Sequence, residues 1–199
     1  MVTKLVRTLS RAPATVGRRI AVWGPTGSGK TTMSRKLAIR LGLPAVELDA
    51  LFHGPNWQPS PDDEFRVMVQ EVLDDCSMGW VCDGNFRVAR EVVLPRADTV
   101  LWLRPPFRVA YWRLLRRTIS RLSSREELWN GNRESWGLTF LSRDSILLWG
   151  ISHWRKHHRN VTEALRVIPH QAQVLELWSD ADVQTVLAYA GSPSGATSA

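Results

Sequence analysis

The chain has 199 residues, enough for one α/β domain with a sizeable core, and 44% of them are hydrophobic, which excludes a disordered composition. It holds no apolar run of about 18 residues, so no membrane span is expected. The formal net charge is +7, from 26 Lys+Arg against 19 Asp+Glu. A basic surface suits nucleotides, nucleic acids and other polyanions alike. The only lysines are Lys4, Lys30, Lys36 and Lys156, so nearly all cations are arginine, the better residue for forked recognition of phosphate. Cys76 and Cys82 match neither zinc-knuckle nor redox-pair spacing, and a reduced, cytoplasmic setting is the expectation.

In chain order, residues 1–18 are basic without the apolar segment of a secretory signal and read as a flexible leader. Residues 19–23 form a short apolar run ending in a glycine-rich turn, the pattern of a buried parallel strand. Met33, Leu37, Ala38 and Leu41 then recur at helical spacing, and Gly42 marks the stop. A second strand is expected at 45–48, ending in Asp49, followed by a loop with Gly54, Pro55 and Pro59. Ser60 is positioned to cap a helix that carries Pro61, Asp62 and Asp63 in its first turn, with Phe65, Val69, Val72, Leu73 and Cys76 on its apolar face. Strands at 80–83 and 99–103 flank a short helix around 88–94.

Pro105 and Pro106 open a helix to about residue 121, and a polar, Gly-containing flap or lid covers about 121–139. Phe140, Leu147, Ile151, Trp154, Val161 and Leu165 form the stripe of a long helix. A fifth strand at 174–177, a last helix at 182–190 and a disordered tail at 191–199 complete the chain, leaving one domain at 19–190. Alternating strands and helices imply an α/β fold with a parallel sheet covered on both faces, and ligands in such sheets bind beyond the carboxyl ends of the strands. Gly24, Asp49 and Asp83 each follow a strand and should face one cleft.

Gly24-Pro25-Thr26-Gly27-Ser28-Gly29-Lys30-Thr31 matches the Walker A phosphate loop between a strand and a helix. Its glycines let backbone N–H groups turn toward phosphate oxygens, and the helix beginning at Lys30 adds its positive end. Lys30 is expected to bridge the β and γ phosphates of ATP, Thr31 to hold Mg²⁺ and Thr32 to reach the α phosphate. Asp83 is expected as a second metal anchor or acceptor contact, and Asp49 as a contact to the acceptor or to a Mg²⁺-bound water. Base-reading and switch motifs of signalling GTPases are absent, as is the ABC signature. Asp83 is followed by Gly84 rather than a water-polarising glutamate, which favours transfer to an acceptor over hydrolysis.

The phosphate loop, Leu48-Asp49-Ala50-Leu51-Phe52, the Trp57 loop, Asp83-Gly84-Asn85-Phe86 and Pro105-Pro106 followed by Tyr111-Trp112-Arg113 together resemble the adenylate-kinase-related "DNA topology modulation" proteins over roughly residues 19–166. The resemblance implies a nucleoside-monophosphate-kinase P-loop fold with five parallel strands in the order 2-3-1-4-5. Residues 83–87 resemble the Asp-Gly-Phe-Pro-Arg segment of adenylate kinases, which implies that Arg87 binds an acceptor phosphate. Asn85 and Phe86 depart from that segment and put AMP as the acceptor in doubt. Arg113 and Arg117 match the spacing of two arginines at the base of the adenylate kinase lid. No cysteine-bearing or long β-rich lid is visible.

Residues 104–125 hold seven arginines (104, 108, 113, 116, 117, 121, 125) and no acid. Arg113 and Arg117, with Arg155 or Arg159 from the later helix, are expected to close on the triphosphate, where charge develops during transfer. His153 and His157 share a helix face but lack a carboxylate partner for a metal. Phe52 and Trp57 are candidates for lining the acceptor pocket, with simple packing the competing reading. The expected function is ATP-dependent phosphoryl transfer to a small-molecule acceptor, a nucleotide or another metabolite. The alternative is a nucleic-acid-binding protein regulated by ATP and acting on DNA topology, which no recognisable nucleic-acid motif favours. Oligomeric state is not legible.

Overall fold

The structure, a computed structural model, describes residues 5–6, 16–124, 127–132 and 146–190, with backbone alone for 5–6 and 146–153. Its strands are β1 (Leu5–Val6), β2 (Arg19–Trp23), β3 (Ala45–Glu47), β4 (Trp80–Asp83), β5 (Thr99–Leu103) and β6 (Gln173–Leu177). Its helices are α1 (Lys30–Leu41), α2 (Leu48–Phe52), α3 (Asp62–Asp75), α4 (Arg87–Arg96), α5 (Phe107–Ser124), α6 (Ile146–Val167) and α7 (Asp180–Tyr189). The strands form one parallel sheet in the order β1-β6-β5-β2-β4-β3. Counted from Arg19–Trp23, the five expected strands therefore lie 2-3-1-4-5. Two residues of the expected leader, Leu5 and Val6, add a sixth strand beside β6.

Side-chain alternation along the strands divides the core in two. Ala21 and Trp23 of β2 and Val100 and Trp102 of β5 join Phe65, Val69 and Leu73 of α3, Val92 and Val93 of α4, and Val161 and Leu165 of α6. Ile20 and Val22, with Leu101 and Leu103, meet Met33 and Leu37 of α1 and Val186 and Leu187 of α7 on the opposite face. Trp23, Trp80 and Trp102 are among the largest fully buried side chains and all lie on the first face. Tryptophan is thus a major filler of this core.

Several local expectations shift. Leu48 and Asp49 do not extend the second strand but begin α2, where Asp49 lies in the first turn and suits the helix dipole. Ser60 does not cap α3: its hydroxyl donates to Leu51 O at 3.1 Å, and Pro61 occupies the cap position without a side-chain bond. The three acids in the first turn of α3 supply the favourable charge instead. The last helix is capped by Ser179 and Asp182 in a reciprocal box, so it starts two residues earlier than its apolar pattern indicates. α5 continues through Ser124, into the segment expected as lid. Residues 133–145, including Phe140, and the tail at 191–199 lie outside the described residues.

The part of the lid segment that is described docks on the loop after α2. Asn132, 4% exposed, accepts from Trp57 N at 2.9 Å and donates to Gly54 O at 2.9 Å and Trp129 O at 2.9 Å. Asn130 donates to Ala50 O and His53 O. Asn56, Trp57 and Asn130 all carry φ between 55 and 58°, a left-handed conformation that is costly for a residue as bulky as tryptophan. The Asn132 side chain holds Trp57 in it. Asn132→Ala removes the acceptor of the Trp57 amide and the donor to Gly54 O and Trp129 O, and should cost about 1–3 kcal/mol, lowering Tm by several degrees in a thermal melt. An unchanged Tm would show that the two loops do not depend on this contact.

Candidate phosphoryl-transfer site

The loop between β2 and α1 has the local chemistry of an anion cradle. Gly29 caps α1 at φ 94° with no side-chain cap bond, and the first turn carries no acid. No acid of α1's own first turn therefore occupies the positive end of its dipole. Gly27, at φ 79°, passes so close to α5 that a Cβ would overlap the Ala110 carbonyl oxygen, whereas the space above Gly29 is open. The loop is therefore pressed against α5 on one side and open on another.

Two hollows flank it. One, about 410 Å³, is lined by Thr26, Lys30, Thr31, Arg35, Asp49, His53, Trp57, Arg117, Arg121 and the lid residues Glu127, Leu128 and Trp129. The other, about 260 Å³, is lined by Ser28, Gly29, Thr32, Arg113, Asp180 and neighbours from α1 and α7. Thr31 and Thr32, adjacent in sequence, thus look into different hollows. Pro25 and Gly24 are buried beneath the loop.

Charge in the larger hollow is organised around Lys30, whose Nζ donates to Pro25 O at 3.1 Å. Burial holds its ammonium below the ordinary lysine range; Asp83 and Asp49 pull it back up, and Arg117 depresses it further. Asp83, at the end of β4, is 2% exposed. Burial raises its carboxyl above the usual range; Lys30 and a hydrogen bond from the Thr31 side chain oppose this, and Asp49 and Glu47 add to it. Its Oδ1 is buried without a hydrogen-bond partner. An orphaned carboxylate oxygen beside a threonine hydroxyl and an uncapped helix start fits a magnesium ion, which takes few protein ligands and completes its shell with water and phosphate oxygens. Among the described residues no group of three or more His, Cys, Asp or Glu could hold a metal by itself.

The remaining expected residues are dispersed. Asp49, Trp57 and Arg117 line the hollow with Lys30. Arg113 instead binds Asp180, with Nη2 2.6 and 2.9 Å from its carboxylate oxygens, beside Thr32. Phe52 packs on Phe86 and Phe65, with ring centroids 4.5 and 5.2 Å away, so its packing reading prevails. Arg87 is exposed and pairs with Asp62 at 3.4 Å. Arg155 is exposed, and Arg159 lines a separate surface hollow with Glu163 and Arg166. The structure brings neither of these two to the Lys30 cleft.

Other residues take those places. Arg35, Arg121 and Trp129 enter the cleft, and Glu47 accepts from Arg35 Nε at 2.6 Å and from Trp129 Nε1 at 3.1 Å. Burial alone would raise the Glu47 carboxyl, but those two hydrogen bonds and the charges of Arg35 and Arg121 bring it below its ordinary range. On α6, His157 rather than Arg155 or Arg159 faces inward, and burial, Lys30, His158 and Arg90 push its pKa down to about 3. The i, i+4 spacing of arginines and histidines on α5 and α6 is visible in the sequence, but not which stripe turns inward.

Because the folded His157 stays neutral while the unfolded one titrates at about 6.5, acid favours the unfolded chain. Stability linked to this group is complete above pH 6.5 and is lost as pH falls toward 3. His157→Gln should therefore flatten the fall of Tm between pH 6.5 and 4 in thermal melts; an equally steep fall would refute the buried neutral imidazole.

No protein-family model matches the chain. Adenylate kinases of Mycobacterium ulcerans and Mycobacterium marinum are each 30% identical over 123 residues, covering 50% of this chain and 67% of theirs. The shikimate kinase structure from Bacteroides thetaiotaomicron superposes with a TM-score of 0.52 at 19% identity, over 85% of this chain and 94% of that one, a likeness of fold. With its phosphate loop, parallel sheet and strand order, the chain belongs to the adenylate-kinase-like family of P-loop kinases.

Proposed function

We propose that the protein is an ATP- and magnesium-dependent phosphotransferase that moves the γ-phosphoryl group to a small acceptor, a nucleotide or another metabolite. The observation that carries this reading is the juxtaposition of the buried Lys30 ammonium, the Thr31 side chain and the orphaned Asp83 oxygen at one uncapped helix start. Residues Gly24, Pro25, Thr26, Gly27, Ser28, Gly29, Lys30, Thr31 and Thr32 wrap the triphosphate. The smaller hollow, between α1 and α7, suits the nucleoside part of the donor. The larger one, roofed by Trp57 and Trp129, suits the acceptor.

Thr31 and Asp83 would hold Mg²⁺, which when bound offsets charge on the β and γ phosphates. Lys30 neutralises the same oxygens from the protein side, and Arg117 and Arg121 face them across the cleft. Asp49 is placed to orient an acceptor hydroxyl and take its proton as the acceptor oxygen bonds to the γ phosphorus. The bond from that phosphorus to the bridging oxygen breaks and ADP leaves. Arg113 reaches the triphosphate only by releasing Asp180; Arg155 and Arg159 would have to approach by a movement of α6. The closer resemblance to the DNA topology modulation group, and a cytoplasmic location, belong to this proposal too. Among the described residues no helix is long and apolar enough to cross a membrane.

A second reading, ATP-regulated nucleic-acid binding, draws on the +7 charge and on a hollow of about 1010 Å³ at the opposite end of the sheet, where Arg18, Arg19, Arg96 and Arg166 gather. Steeply salt-dependent DNA binding would favour it.

A transfer assay with Mg²⁺·ATP against nucleotides, hydroxy acids and sugars should find acceptor-dependent ADP release. Lys30→Ala should lower it by about 100-fold or more, and Arg117→Ala by a similar factor. Absence of any affinity for a magnesium–nucleotide complex would end the kinase reading, and full activity in folded Arg117→Ala would remove that residue from it.

A further inference from the structure

The hollow of about 1010 Å³ lies at the amino ends of β2 and β5, the end of the sheet remote from the phosphate loop. Its wall carries four guanidiniums, those of Arg18, Arg19, Arg96 and Arg166, and a single acid, Asp98. Asp98 forms no ion pair with any of them among the described residues. Its Oδ2 instead accepts from the backbone N–H groups of Arg18 and Arg19, both at 2.8 Å. Arg96 pairs with Asp74 at 3.4 Å, and Arg18 Nε donates to Met78 O at 2.8 Å. No hydrogen bond or ion pair holds the side chain of Arg19 or Arg166 among the described residues.

Helix dipoles account for half of this charge. α4 and α6 end here, and Arg96 and Arg166 are the basic residues of their last turns, where cations are favoured. Arg18 and Arg19 belong to no helix; they sit where β2 begins, on a main chain held from several sides. Besides the two bonds to Asp98, Gly17 N donates to Thr99 Oγ1 at 3.1 Å, and Arg18 O accepts from Trp80 N at 2.7 Å. A Cβ on Gly17 would overlap the Asp98 carboxylate, and one on Gly79 would overlap the Arg18 carbonyl oxygen. The two guanidiniums therefore project from a fixed backbone, and ordering them around a ligand costs side-chain freedom alone.

A concave wall of one charge sign focuses its field on an anion, and guanidinium forks match phosphate oxygens. The same hollow exposes apolar surface, with Met78 and Val167 each 71% exposed, which suits the organic part of a ligand. Its volume is that of a large small-molecule pocket. The basic wall does not continue as a track: Asp74 and Asp75 close α3 beside Arg96, and Glu163 shares the adjoining hollow with Arg166. A nucleic-acid chain needs cations along its path, whereas acidic borders leave room for a compact anion.

We propose that this hollow is a second binding site, separate from the phosphate loop, for a free di- or triphosphate compound of nucleotide size. Arg19 and Arg166 engage the phosphates, Arg18 and Arg96 add charge, and Met78 and Val167 contact the organic part. The site does not rest on the phosphotransferase reading, and it assigns the hollow to a small molecule rather than to DNA.

The test is equilibrium dialysis of the whole chain with Mg²⁺ and a labelled non-hydrolysable ATP analogue at physiological salt. Wild type should bind two equivalents. The double variant Arg19→Gln/Arg166→Gln, at two exposed positions, should bind one, the other site being weakened by about 100-fold, roughly tenfold for each charged hydrogen bond removed. From Lys30→Ala protein, inorganic triphosphate should displace the remaining equivalent and adenosine should not; if that variant does not fold, the count in the double variant decides alone. A single wild-type equivalent that survives in the double variant overturns the site and leaves the phosphate loop intact. Two equivalents in the double variant, or displacement by adenosine, overturn it as well. Duplex DNA that binds wild type but not the double variant, while the analogue fills one site in both, overturns it in favour of nucleic acid. A single wild-type equivalent that the double variant loses supports the hollow and ends the kinase reading instead.

Discussion

Lys30 is the charge around which the carboxyl end of the sheet is arranged. Its ammonium is buried and lies within the fields of Asp83 and Asp49, so an otherwise costly desolvation is opposed by two acids, one at the end of β4 and one in the first turn of α2. Asp83 is in turn raised by burial and tolerated because Lys30 and Thr31 face it. Neither group is at its ordinary pKa, and each depends on the other. Such mutual dependence holds a positive charge beside an uncapped helix start in the wall of the cleft, an arrangement that suits a polyphosphate and the charge that develops on it.

The rest of the fold can be understood as support for that arrangement. β2 and β4 pair in parallel with Val22 opposite Asp83, which places the phosphate loop and the acid at the same level. Three buried tryptophans fill one face beneath them, while α1 and α7 close the other. Above the sheet, Asn130 and Asn132 tie the segment around Trp129 to the loop around Trp57. The cleft roof is thus built from two loops that stabilise one another's left-handed backbone.

Arg104 shows how the same end of the sheet handles a cation not needed for phosphate. Its guanidinium lies 4.4 Å from the centre of the Trp102 ring and 4.1 Å from that of Trp178, and it bonds Glu176 at 2.9 Å. Two aromatic faces and a buried carboxylate offset its charge, while its Nε is buried without a hydrogen-bond partner.

By itself the sequence determined the phosphate loop, the five strands and their order, most of the helices between them, and the acids Asp49 and Asp83, because these depend on local periodicity, on glycine at fixed spacing and on a resemblance carried by contiguous motifs. The docking of Asn130 and Asn132 on the loop around Trp57 escaped it because it is set by hydrogen bonds between segments distant in the chain; the short helix at Leu48 and the local Ser179–Asp182 cap escaped it because the apolar pattern does not mark them. Tertiary structure alone decided which arginines turn inward. Arg87 and Arg90, or Arg159 and His157, are equivalent in composition and nearly so in spacing. A rotation of α4 or α6 by a fraction of a turn chooses between them, and that rotation is fixed by how Val92, Val93, Val161 and Leu165 pack on the sheet.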